Sequence, residues 1–173
     1  MADGNAHELF MEMALQQAQE ALNRGDFPVG CVLVEDGQVV ADGRRVNSGP
    51  GSNEIDHAEI LALRQLIHRR GTGRDLGNVI VYSTMEPCLM CFSTLIVNNI
   101  QTMVYAYEDV MGGGTGLDLS GLNPLYAAMD LVIIPHILRA KSLALFKNFF
   151  STPGNHYLNQ SLLATYTLRQ KKE

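Results

Sequence analysis

The sequence predicts an α/β fold, one sheet of about five strands covered by helices on both faces. Strand-like and helix-like segments alternate along the 173 residues, the pattern of a sheet wrapped by helices. Asp36-Gly37 separates two apolar runs and gives the two-residue hairpin signal. A hydrophobic content of 46%, with few low-complexity stretches, suits one packed core and hence one domain over residues 1–173.

The elements follow in order. Residues 7–23 read as an amphipathic helix with Leu9, Met13, Ala14 and Leu22 available to a core, ended by Gly25. Residues 29–35 and 38–42 form the hairpin strands. A helix over 56–70 carries Ile60, Leu63, Leu66 and Ile67 at helical spacing. A buried strand at 79–83, a helix at 88–98 and a strand at 102–107 come next. The last strand is expected at 131–134 and terminal helices at 139–150 and 158–168. No internal repeat is evident.

Chemistry concentrates in His57-Ala58-Glu59 and, further on, Pro87-Cys88-Leu89-Met90-Cys91. Together they offer three metal ligands and one carboxylate. A structural zinc is closed by four protein ligands, whereas a catalytic zinc takes three and keeps one position open. One Zn2+ per chain is therefore expected on His57, Cys88 and Cys91, with Glu59 kept for catalysis. Pro87 suits the first position of a helix, so Cys88 and Cys91 fall at i and i+3 on one face and both sulfurs reach one metal. His57 and Glu59 open the 56–70 helix, so the site should lie between two helix N-termini whose positive ends favour thiolates.

The order H-x-E, then P-C-x-x-C, is the signature of zinc-dependent base deaminases. A lone C-x-x-C also serves redox dithiols or half of a closed zinc site. A redox pair, however, requires neither the proline nor the upstream H-x-E, and Cys31, the only other thiol, lies in an apolar run that reads as buried. Gly112 to Gly116 lacks the Lys-Ser/Thr of a phosphate loop and reads as a flexible turn beside the site. His68, before Arg69-Arg70, reads as a helix end. His136 and His156 have no partner pattern and receive no role.

The chain resembles the cytidine and deoxycytidylate deaminase superfamily, and within it most the bacterial tRNA adenosine deaminases. Beyond the metal motif, Met13-Ala14-Leu15, Gly25-Asp26-Phe27-Pro28-Val29-Gly30, Asn47, Ala62-Leu63, Asp109 and Leu145-Phe146-Lys147-Asn148-Phe149-Phe150 carry the likeness, which spans most of residues 13–150. The resemblance implies a three-layer α/β/α fold with a central mixed sheet, and a homodimer. It also implies substrate contacts: Phe27 and Val29 as pocket walls, Asn47 and the backbone N–H of Ala58 holding the base or sugar, Pro87 beside them, and Asp109 near the sugar or the pocket mouth. Two thiolates and a neutral imidazole leave a bound Zn2+ formally neutral, so it acidifies water less than a three-histidine site does. A proton carrier is needed, and Glu59 is expected to move protons from the attacking water to the ring nitrogen and the departing amine.

Three departures from similar tRNA deaminases fall where substrates are chosen: Ile55-Asp56 before the histidine, Phe92 after the second cysteine, as in guanine-type deaminases, and Ala128-Met129-Asp130 before the last strand. The substrate stays open between adenosine in tRNA and a free nucleobase or nucleoside of guanine, cytosine or adenine type. In the second case the bulk of Phe92 and its neighbours should restrict access to the pocket. A catalytically silent zinc-binding subunit that holds RNA or a partner is the remaining alternative, and the intact Glu59 speaks against it.

Three cysteines, two of them committed to metal, leave no disulfide framework, which points to a reducing compartment, the cytoplasm. The N-terminus shows no basic-then-apolar leader. The longest apolar run, over 131–138, is broken by Pro135 and is too short to span a membrane. The net charge of −5 is unevenly spread: from Arg139 to Glu173 there are six basic residues against one acidic, and before that seven against seventeen. A basic tail on an acidic body suits either a nucleic-acid contact or a solvated helix.

Overall fold

Asp36 and Gly37 both adopt positive φ, 51° and 73°, as the central residues of a two-residue hairpin require. They join β1 (Gly30–Glu35) to β2 (Gln38–Arg44). The computed structural model describes residues 2–171 apart from Pro50, Ser52, Thr72 and Arg74. Its remaining elements are α1 (Ala2–Asn23), α2 (Ala58–Arg70), β3 (Ile80–Met85), α3 (Leu89–Val97), β4 (Thr102–Tyr107), α4 (Pro124–Ala127), β5 (Val132–Ile134), α5 (Arg139–Ser151) and α6 (Leu162–Arg169).

The five strands form one mixed sheet in the order β2-β1-β3-β4-β5. β1 runs antiparallel to both neighbours, whereas β3, β4 and β5 are parallel. Parallel neighbours need a crossover, and α3 supplies it between β3 and β4. Alternation along the strands sends Val32, Val34, Tyr82, Val104 and Ala106 to a core under α1, with Leu145 of α5 against it. Cys31, Leu33, Val81, Met85 and Met103 go to the larger core under α2 and α3. Helices thus cover both faces, and the α/β/α layering expected from the sequence is what the chain adopts.

Gly43 decides how close α2 can come. A Cβ there would lie 2.3 Å from the Ala58 carbonyl oxygen and 2.7 Å from the Ala62 nitrogen. Only a bare backbone lets the first turn of α2, which carries Glu59, rest on β2.

Several boundaries differ from the sequence expectation. α1 starts at Ala2 rather than at residue 7, and the first strand begins at Gly30, because Val29 precedes the ladder. β2 and β3 run on to Arg44 and Met85. α2 begins at Ala58 with His57 as its N-cap, and α3 begins at Leu89 with Cys88 as its N-cap. Pro87 therefore precedes the helix instead of opening it. The final helix starts at Leu162: Leu158 and Gln160 have φ of 52° and 61°, and the Ser161 hydroxyl caps the Ala164 N–H. The four-residue α4 was not anticipated. The helix ends at Arg70, as expected, with His68, Arg69 and Arg70 in its last turn and Gly71 at the cap.

Candidate active site

The site lies at the carboxyl ends of β3 and β4, where parallel α/β sheets place ligands. Two helix starts meet there. His57 caps α2 and Cys88 caps α3, both in extended backbone, and Glu59 and Cys91 follow within the first turns. His57 Nδ1 is 3.5 Å from Cys88 Sγ and 3.4 Å from Cys91 Sγ. Zn–N and Zn–S bonds of about 2.0 and 2.3 Å at a tetrahedral angle require an N···S edge of about 3.5 Å. The triad thus fits a zinc ion, and the three donor atoms all lie within 4.8 Å of one another. Cys31 is fully buried on β1 and is no part of this cluster, so the closed four-ligand alternative is set aside.

The two sulfurs are electrostatically coupled. A hydrogen bond from Cys91, helped by His57, holds the Cys88 thiol down to about 4, while the same contact and burial push Cys91 up. The His57 ring is held from its other side, Nε2 lying 3.3 Å from Glu54 Oε2. Such a carboxylate behind a ligating imidazole fixes ring orientation and tautomer.

Glu59 is 3% exposed, accepts from the Ser83 hydroxyl at 3.1 Å, and has its second oxygen 3.5 Å from Cys91 Sγ. Burial raises its carboxyl pKa from the ordinary value, the direction that suits a proton carrier.

These groups open into a cavity of about 190 Å³. That is below the roughly 300–1,000 Å³ of drug-sized sites, so it accommodates a single base. Phe27, Val29, Ala58 and Asp109, all expected from the sequence, line it, as do His57, Glu59 and Cys88. Phe27 is held by Phe146, Phe149, Phe150 and Tyr157, with ring centroids 5.1–5.9 Å away. The Asp109 carboxylate accepts from the Met111 and Gly112 N–H groups at 2.9 Å. Burial nevertheless raises its pKa.

Asn47 and Pro87 are not among the residues lining the cavity. Asn47 adopts φ of 58° and donates to Asp56 Oδ2 at 2.7 Å, tying down the loop before α2. The Pro87 carbonyl accepts from Gly114 N at 2.9 Å. Phe92 is completely buried and also outside the lining, so its bulk does not restrict access. The last third of the chain instead contributes Tyr157, Leu158 and Leu163 to the lining.

The glycine-rich segment sits beside the site, as expected, but close packing explains its composition better than flexibility does. A Cβ on Gly113 would stand 2.5 Å from the Glu86 carboxylate, which also accepts from Asp109 N and Thr115 N. Arg45, Glu54, Glu86, Met111 and Tyr157 are lining residues that sequence reasoning missed. No motif marks them, and tertiary packing alone brings them together.

Comparison with known proteins agrees with this geometry. The cytidine and deoxycytidylate deaminase zinc-binding region matches residues 4–107. The tRNA-specific adenosine deaminase 2 of Xenopus tropicalis is 36% identical over 149 residues, covering 82% of this chain and 86% of that protein. A solved tRNA:A34 deaminase superposes with TM-score 0.67 at 28% identity, covering 79% of this chain and 97% of the other. The guanine deaminase of Bacillus subtilis gives TM-score 0.53 at 33% identity, over 59% and 64% of the two chains.

Proposed function

The chain belongs to the cytidine and deoxycytidylate deaminase family, and on the premise that it is a zinc-dependent nucleobase deaminase we propose that Glu59 is its proton carrier and adenosine in tRNA its substrate. The observation that carries the catalytic assignment is the placement of the buried Glu59 carboxylate on the wall of the same small cavity as the His57-Cys88-Cys91 triad. When bound, zinc supplies a Lewis acid that activates water for attack on the amino-bearing ring carbon.

The chain's own groups do the rest. Glu59 takes one proton of the attacking water and gives it to the ring nitrogen, then takes the second from the hydroxyl formed on the ring carbon and gives it to the amine, which leaves as ammonia as the C–N bond breaks and the carbonyl forms. Ser83 holds one Glu59 oxygen, and the other lies beside Cys91 Sγ of the metal triad. Phe27, Val29 and Met85 supply apolar walls for the flat base, and the backbone N–H of Ala58 is a candidate donor to it. Asp109, in the cavity lining, is a candidate partner for a sugar hydroxyl.

The tRNA assignment is supported by the relatives, which are named for tRNA adenosine. A free base or nucleoside is the second reading, favoured by a cavity of about 190 Å³, the size of a single base. Of the basic tail, Arg139 pairs with Glu108, Lys141 with Glu12, and Lys147 donates to the Gln170 carbonyl. Arg169 and Lys171 remain exposed, while Lys172 and Glu173 lie outside the described residues. Ammonia release from free bases, nucleosides, nucleotides and total tRNA decides between the readings. Turnover of a free base without inosine in tRNA would reject the tRNA substrate.

A homodimer is supported by apolar surface left on α3, where Leu89 and Val97 are 55% and 61% exposed; sedimentation equilibrium tests it. No helix among the described residues is long and apolar enough to cross a membrane. A cytoplasmic location is part of the proposal, supported by the unpaired cysteines.

A further inference from the structure

Arg45 lines the cavity, yet the reaction just derived gives it no task. It lies directly after β2 and is 1% exposed. Its Nη2 donates to the Asn53 carbonyl at 2.7 Å and lies 3.2 Å from Glu54 Oε2 and 3.4 Å from the Tyr157 hydroxyl. The guanidinium carbon stands 5.7 Å from the Tyr157 ring centroid. Its Nε and Nη1 are buried and have no hydrogen-bond partner among the described residues.

A buried cation with idle N–H groups is retained against a substantial desolvation cost. Glu54 offsets that cost only in part, because its side chain is 64% exposed and the same oxygen also serves His57 and Tyr157. The other carboxylates on the cavity wall are engaged elsewhere: Glu59 with Ser83, Glu86 with Thr115, Asp109 with its own turn. Arg45 therefore has donors in reserve beside a cavity of single-base size.

We propose that Arg45 is the specificity-determining residue of this cavity and that its free N–H groups bind an oxygen acceptor of the substrate, a ring carbonyl or a phosphate oxygen. The inference rests on the deaminase reading, since the oxygen belongs to a nucleobase or nucleotide whose amino carbon faces Glu59. Guanidinium has five donors, no acceptor, and a permanent charge. It rejects an exocyclic amino group, because two donors would face each other. A base is thereby oriented with its amino end toward Glu59 and its oxygen toward Arg45. Guanine and cytosine carry the carbonyl, a nucleotide or an RNA strand carries the phosphate, and adenine alone carries neither.

The test uses zinc-loaded wild type, Arg45→Met and Arg45→Lys, with calorimetric binding of guanine, cytosine, adenine, adenosine and adenosine 5′-monophosphate. Zinc content and Tm are measured in parallel. Loss of hydrogen bonds from a charged donor should weaken binding of the oxygen-bearing ligand roughly ten- to hundredfold in Arg45→Met, with Arg45→Lys in between. For a substrate that is turned over, KM should rise while kcat holds. Zinc content should stay at the wild-type level, and Tm is read beside the affinities because Arg45→Met removes two unpartnered N–H groups together with the bond to the Asn53 carbonyl.

A carbonyl partner shows as a loss confined to guanine or cytosine. A phosphate partner shows as a loss for adenosine 5′-monophosphate but not for adenosine. A structural role predicts the opposite pattern, a lower Tm or zinc content with every affinity unchanged. That result, or wild type binding no oxygen-bearing ligand more tightly than the variant does, overturns the proposal. If Arg45→Met does not fold, Arg45→Lys carries the same comparison. Ammonia release is scored separately: Arg45-dependent binding without ammonia removes the deaminase reading and leaves the recognition site standing.

Discussion

Glu54 is a single surface carboxylate with three neighbours, His57, Arg45 and Tyr157. Burial works against its charge, but hydrogen bonds from His57 and Tyr157 prevail and hold its pKa below 4.5. Removing that negative charge should loosen the histidine on the metal: Glu54→Gln is expected to lower zinc affinity by about tenfold, the weak end of the usual range for outer-shell partners, as measured by chelator competition. Glu59→Gln should behave differently. It keeps all three ligands, so zinc and fold stay while turnover falls by about 10²- to 10⁴-fold or more. Cys88→Ala and Cys91→Ala should lose zinc; if Glu59→Gln loses it as readily, the division of roles is wrong. The ligand set was legible in the sequence because each motif is local, two or three residues long, and its spacing is dictated by helix geometry. Of the remaining cavity wall, Phe27, Val29, Ala58 and Asp109 were legible through the family pattern, but Arg45 and Tyr157 were not. No motif marks Arg45, and nothing in the chain around Tyr157 announces that it folds back over residues more than a hundred positions earlier.

Between the elements, close approach matters as much as hydrophobic patterning. Gly43→Ala places a methyl against the backbone of α2, and overpacking of this kind costs about 1–3 kcal/mol. For a chain of this length the Tm should drop by several degrees, with activity lost alongside as Glu59 is displaced. At the other end, Tyr107 and Thr167 share a buried 3.0 Å hydrogen bond that docks α6 on β4. Thr167→Val leaves the tyrosine hydroxyl unpaired and should cost about 1–3 kcal/mol in urea unfolding. Truncating the chain at Tyr166 would break the same bond, so whether the tail binds RNA is better tested by neutralising Arg169 and Lys171. The strands and central helices were readable because their periodicity is strong. The start of α6 was not, since residues 158–160 are apolar or polar enough for a helix yet two of them adopt left-handed backbone that the Ser161 cap then ends.

Across the molecule, Glu108 joins the end of β4 to both terminal helices through Arg139 and Tyr166. Burial opposes its ionisation, but those two hydrogen bonds outweigh it and keep its pKa below 4.5. With the folded value below the unfolded one, this stabilisation is present above about pH 4.5 and is lost as the pH falls through the folded value. Wild type should therefore lose Tm steadily on acidification, and Arg139→Gln should lower Tm at pH 7 while flattening that acid limb. The distances along the chain also set an order of events. The zinc triad spans 34 residues, whereas the Tyr157–Glu54 contact in the cavity wall spans 103. Closing the longer loop costs about 1 kcal/mol more in chain entropy. A chain leaving the ribosome has every metal ligand once Cys91 emerges, long before Leu163 can complete the chamber. In refolding with Co2+ as a coloured substitute, thiolate–metal absorption should rise first and inhibitor binding only later, so that metal uptake is an early folding event and substrate recognition the last.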